Sequence, residues 1–268
     1  MRKSWLVFPF ALALAWPAPR VGVAQTTECP PSTLTPTFCV ELGSDYFQTQ
    51  PGTMFNFGAP IGIVDLIGKP IGPGLTDTII QRQADAVING GPAPIMITNL
   101  SLQGTAPVNI GGSFFDVFVT LDPAHLAQDT GTIAIMGTTA GGTFNSTLDV
   151  FFEAQFTPLG GGPPIDIFNN LTLSQTGAAW GPTPSPGDVI VTGNDTLPSE
   201  QLANLHTVLD PNEVDFFVTP PLIEQEAGLG QHVVDPAPVP EPGTLILFST
   251  GILGLAILRR RTVKSEGR

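Results

Sequence analysis

Three aspartates of the 268-residue chain recur in one short setting: Asp116 in Phe-Asp-Val-Phe-Val, Asp149 in Leu-Asp-Val-Phe-Phe and Asp215 in Val-Asp-Phe-Phe-Val. Carboxylate oxygens are the ligands Ca²⁺ takes, and three of them in register on neighbouring strands would hold such an ion. The competing reading is one outward aspartate per strand, which keeps an exposed face soluble and blocks edge pairing. No D-x-[DN]-x-[DN]-G loop or glycine-rich nonapeptide array supports calcium, so the solubility reading is preferred.

Other chemistry finds less support. The chain has no G-x-S-x-G turn, H-E-x-x-H helix, P-loop or G-x-G-x-x-G following a strand. His125, His206 and His232 lie far apart in sequence. Two of the many carboxylates could serve a glycosidase, but only Tyr46 and Trp180 offer tyrosine or tryptophan subsite lining beyond the first 24 residues. The residues therefore point away from an enzyme.

The elements that carry the aspartates read as strands. Successive side chains of a strand face opposite ways, so Leu148, Val150 and Phe152 turn to a core while Asp149 and Phe151 share the other face. Asp166 in Ile-Asp-Ile-Phe-Asn and Asp188 in Gly-Asp-Val-Ile-Val are partial versions of the unit. Spacings of 33, 17, 22 and 27 residues between the five aspartates are too uneven for a solenoid. An all-β, β-sandwich-like body of short antiparallel strands with an imperfect internal duplication fits better. Asn99-Leu100-Ser101-Leu102 and Asn170-Leu171-Thr172-Leu173 support that duplication. Asp77 to Ile88 reads as a strand, Asn89-Gly90-Gly91 as a turn, and Ile95 to Leu102 as the next strand. Ser199 to Leu209 is the one helix expected in the body, capped by Ser199 and ended by Asp210-Pro211.

Composition agrees with turns and strands: 30 glycines, 28 prolines and only 12% charged residues. Arg2 and Lys3, the apolar run Trp5 to Trp16 and the small residues before Gln25 make a secretory signal peptide, with cleavage after Ala24. An oxidising destination then favours a disulfide between the only cysteines, Cys29 and Cys39. The formal net charge is -13, and between Gln25 and Pro240 Lys69 and Arg82 are the only basic residues. Such a surface repels nucleic acid and anionic lipid.

The far end is built differently. Gly243 to Leu258 holds 16 residues without a charge. As a helix it would span about 24 Å, against roughly 30 Å of hydrocarbon. Arg259, Arg260 and Arg261 follow at once and hold that end in the cytoplasm. The order Pro240-Glu241-Pro242, apolar run, arginine cluster resembles the PEP-CTERM sorting signal of Gram-negative bacteria. That resemblance covers about the last 30 residues and is silent on the body. It implies handling by a membrane exosortase, transient anchoring in the inner membrane by a C-terminal transmembrane helix, and processing at Pro240, Glu241 and Pro242. Species with such signals typically make exopolysaccharide, which the resemblance suggests as a partner.

The expected organisation is a signal peptide over 1–24, an irregular Pro/Thr-rich segment over 25–73 and a β-rich body over 74–225. A linker over 226–238 and the sorting signal over 239–262 complete it. The expected function is a structural or adhesive protein of the cell surface or extracellular matrix. Its rivals are a secreted polysaccharide- or calcium-binding module and a secreted polysaccharide hydrolase.

Overall fold

In the computed structural model, residues 38–72, 75–184, 213–219, 221–226 and 230–236 are described. They form sixteen strands, in chain order β1 (Cys39–Val40), β2 (Gly43–Thr49), β3 (Thr53–Asn56), β4 (Ile63–Gly68), β5 (Thr78–Arg82), β6 (Ala86–Val87), β7 (Ala93–Gly104) and β8 (Val108–Ile110), then β9 (Ser113–Leu121), β10 (Thr130–Thr138), β11 (Gly141–Pro158), β12 (Ile165–Gly181), β13 (Glu213–Val214), β14 (Phe217–Thr219), β15 (Leu222–Glu226) and β16 (Gly230–Pro236). A single 3₁₀ turn at Leu126–Gln128 is the only helical element among the described residues.

Alternation of apolar and polar residues drives the strands. On β11, Leu148, Val150, Phe152, Ala154 and Phe156 are buried, and the residues between them face outward. The Asn89 turn forms as expected: Asn89 takes a positive φ of 62°, tolerated best by short polar side chains. Its side chain then bridges to β10 through Gly137, accepting from N–H and donating to C=O.

Eight strands close a ring in the order β12-β15-β16-β2-β5-β7-β10-β11, with β11 returning to β12. All of these pairings are antiparallel. Among the described residues the one parallel pair is β1 with β13, in a separate three-stranded sheet with β6. The expected all-β class holds, but the sandwich is replaced by a barrel-like closed sheet. The reason lies in β11 and β12, 18 and 17 residues long rather than short. Strands of that length let one sheet curl back on itself, helped by irregularities that bend it. One sits where Thr98 is left between the pairs Ile80–Ile97 and Ile79–Asn99. The other sits opposite Asn145, whose side-chain oxygen accepts from the N–H of left-handed Gly177.

The barrel interior divides into two cores. The lower one gathers Phe47, Ile95, Ile135, Phe144, Leu148 and Trp180 with some fourteen further side chains. The upper one is built around Phe55, Phe115, Phe152 and Phe156. The wall changes between them. The lower half of β7 pairs with β5 and β10, whereas Ser101–Gln103 pair with β9 and Leu102–Gly104 with β4. Leu100 on β7 and Leu171 on β12 pack against both cores. The two Asn-Leu tetrapeptides thus occupy corresponding places on two walls.

Two expected boundaries move. Residues 25–73 are not irregular throughout, because β1 to β4 lie within them and β2 is one of the eight strands of the ring. Residues 226–238 are not a free linker, because β16 pairs with β2, β3 and β15. Proline and threonine content concealed the first; in β16, Val234 is fully buried and the flanking polar residues concealed the second. The signal peptide with Ala24, the Ser199–Leu209 helix, and the tail with Pro240, Glu241, Pro242, Arg259, Arg260 and Arg261 lie outside the described residues. Among the described residues no helix is long and apolar enough to cross a membrane.

Candidate functional site

The three aspartates that opened the calcium reading are not brought together. Asp116 stands opposite Thr157, eight residues along β11 from Asp149, which at ~3.3 Å per residue is about 26 Å. Asp149 is exposed and its Oδ1 accepts from the Thr172 hydroxyl across the β11–β12 ladder at 2.6 Å. Asp215 lies off both, in the break between β13 and β14. That break is where the repeated unit fails. Phe115, Val117 and Val119 alternate inward, as do Leu148, Val150 and Phe152, but Phe216, Phe217 and Val218 are buried in succession. Among the described residues no three His, Cys, Asp or Glu side chains converge as metal ligands. Cys39 is fully buried and disulfide-bonded, and Cys29, the other cysteine of the chain, lies outside the described residues.

The barrel interior holds polar groups that no sequence spacing announced. Asp77, completely buried just before β5, accepts the Thr49 N–H at 2.7 Å and the Thr49 and Thr78 hydroxyls at 2.7 and 2.8 Å. With the Thr49 hydroxyl hydrogen committed to Asp77, His232 Nε2 is the donor to Thr49 Oγ1, at 2.9 Å. His232 Nδ1 then faces Glu224 Oε2 at 3.8 Å, its cross-strand neighbour on β15. Burial pushes the Glu224 carboxyl up to about 7 and the His232 imidazole down to about 4. Burial also raises Asp77, against the three hydrogen bonds that favour its charged form.

A hydroxyl, an imidazole and a carboxylate in sequence are the parts of an activated nucleophile. The geometry here does something else. Thr49 is 3% exposed and its hydrogen points to Asp77, away from the imidazole. The imidazole-to-carboxylate gap exceeds hydrogen-bond reach. The cluster fastens β2, β5, β15 and β16 to one another. A second interior pair does the same lower down. Arg82 donates from Nη1 to Asp45 and from Nε to the Glu41 carbonyl, and its guanidinium lies 4.9 Å from the Phe216 ring centre. Sequence reasoning missed both, because their members stand up to 183 residues apart.

Where the two cores meet, an apolar cavity of about 50 Å³ remains, lined by Phe55, Leu100, Val150, Phe152 and Leu171, with His232 at its polar end. On the outside, His125 stacks on Phe151 at 5.2 Å and hydrogen-bonds Asp122 through Nδ1 at 2.5 Å. That contact and the Ala124 N–H hold the Asp122 carboxyl below its ordinary range. His125 is therefore a loop anchor, in keeping with its place after Asp122-Pro123.

Residues 238–261 match the PEP-CTERM protein-sorting motif. Neither a curated protein nor a solved structure matches the chain significantly. The functional information that sequence similarity carries thus resides in the tail, and the barrel has to be read from its own geometry.

Proposed function

We propose that the protein is a structural or adhesive component of the cell surface or extracellular matrix, handed over by an exosortase that cuts at Pro240-Glu241-Pro242. The sorting motif over 238–261 carries this reading, since it supports exosortase-dependent sorting of a secreted protein. The apolar run Gly243 to Leu258 would hold the chain in the inner membrane during sorting, with Arg259, Arg260 and Arg261 on the cytoplasmic side. The barrel supports a structural role in a second way. Its interior polar groups fasten strands to each other, and its side chains present a mostly polar, acidic exterior. An acidic exterior favours solubility outside the cell.

Intact-mass measurement of the exported form, from producing cells with and without the exosortase, tests the processing step. The expected product ends near Glu241 and lacks Arg268, and without the exosortase a longer chain stays in the membrane fraction. An identical full-length product outside both strains would refute it. The matrix role is tested separately: deleting the gene should weaken cell cohesion without abolishing polysaccharide output.

A further inference from the structure

Among the described residues, one half of β12 has no strand paired along its outer edge. That strand is bonded to β11 from Trp180 to Ile165. On its other edge it meets β14 at Ala179–Gly181 and β15 at Ser174 only. Nearer its start, the Thr172 N–H is taken by Glu226 Oε2 and the Asn170 N–H by the Asn169 side chain, each at 2.8 Å. Those bonds show which residues turn their backbone to the free edge: in an antiparallel ladder they alternate. Asp166 and Phe168 therefore present N–H and C=O to solvent, and Asn170 its C=O. Phe168 is 59% exposed and Ile165 42%. Edge strands are ordinarily guarded by lysine, proline or a bulge. Ile165–Leu171 has none of these, and Asp166 is its single charge.

We propose that this edge pairs with the same edge of a second copy, antiparallel, about a two-fold axis through Phe168. The axis sets Phe168 against Phe168 and Ile165 against Leu171. It sets Asp166 against Asn170 of the second copy, twice. Backbone alternation permits this pairing, because the residues that turn to the free edge then face their own kind. Neighbouring registers fit worse. An axis at Asp166 opposes two like charges, and one at Ile167 sets Asp166 against Phe168. An axis at Asn170 runs into Thr172 and Ser174, whose backbone positions Glu226 and β15 already occupy. A foreign extended strand could use the backbone groups, but this match of charge and apolar side chains belongs to the edge itself. Such an isologous contact closes as a dimer and does not propagate into fibres. Between Gln25 and Pro240 each copy carries 21 acidic residues against Lys69 and Arg82, a net charge of -19, so repulsion opposes association and salt strengthens it.

Sedimentation of the protein as cells export it, at about 0.05 M and about 0.5 M NaCl, reads the mass directly. A dimer is expected, tighter at the higher salt. Asn170→Asp puts like charges at both ends of the axis and should weaken the dimer about tenfold. Adding Asp166→Asn to the same chain restores an Asp–Asn pair and should restore the dimer. Both side chains are exposed, so melting temperatures should be unchanged. If Asn170→Asp lowers stability, Phe168→Lys gives the same reading from the central pair. A wild-type monomer at both salts, a dimer indifferent to Asn170→Asp and Phe168→Lys, or failure of the double variant to rescue would each overturn the proposal.

Discussion

The two ends of the barrel are held by different means. The lower core combines aliphatic side chains and the aromatic trio Phe144, Phe216 and Trp180 with a buried ion pair, Arg82 to Asp45, and the ring there is closed. The upper core is phenylalanine packed edge to face, with Phe55, Phe57, Phe152 and Phe156 at 4.7 to 6.4 Å, and its wall ends at the free edge of β12. Between them lie the His232 cluster and the cavity. The difference teaches where specificity and where adaptability reside. Buried charges with fixed partners admit one arrangement of strands. An unpaired edge has backbone groups left to offer.

The largest effect should come from breaking the lower end. Arg82→Ala takes the guanidinium away from buried Asp45 and from Phe216, which should cost about 4 kcal/mol in denaturant unfolding. Replacing both partners, Arg82→Met with Asp45→Leu, should recover most of that loss, because no buried charge is then left alone. If the single and double variants are equally unstable, the pair fastens nothing and the contrast between the ends fails.

The middle of the barrel should make stability depend on pH in two opposing ways. Glu224 titrates at about 7 when folded, against an ordinary 4.5, so the folded state holds the extra proton between those values. Stability from this group is present at low pH and is lost as pH rises through 7. His232 titrates at about 4 when folded, against an ordinary 6.5, so the unfolded state holds the extra proton between them. Stability from that group is lost as pH falls through 6.5 towards 4. The two slopes largely cancel between 4.5 and 6.5, leaving a fall of stability as pH rises from 6.5 to about 7, a second fall as pH drops from 4.5 to about 4, and a level course above. Glu224→Gln removes one slope. Relative to wild type it should gain up to about 3 kcal/mol at pH 8 and little at pH 4. Equal melting temperatures of wild type and variant across that range would show that the carboxyl is not held neutral.

How much of this was readable beforehand depends on the range of the interaction. Local alternation identified the strands around Leu148 and Phe115, and the Asn89-Gly90-Gly91 turn, because those signals are complete within a few residues. Closure into a barrel was not legible, since it depends on β12 meeting β15 through Ser174 and Gln225, 51 residues apart. The third Asp-Phe unit misled for a related reason: burial of Phe216 against Trp180 and Arg82, both far away in sequence, overrides its alternation. Thr49, Asp77, His232 and Glu224 carry no motif at all. The tail was legible because sorting signals are read as linear sequence, outside any fold.

The smallest effect is expected where the sequence drew attention first. Asp149 lies on the outer face of β11, exposed, and among the described residues its side chain bonds only the exposed Thr172 hydroxyl. Surface bonds of that kind contribute little, because water replaces them when they are broken. Asp149→Ala should change unfolding stability by less than about 0.5 kcal/mol. Asp116 lies too far along the neighbouring strand to share an ion with it, so Ca²⁺ should leave the melting temperature unmoved in wild type and variant alike. A calcium-dependent rise that Asp149→Ala abolishes would mean that carboxylates from a second copy complete a site on this face. It would place function in an ion on the outer face of β11 and not in the bare edge of β12.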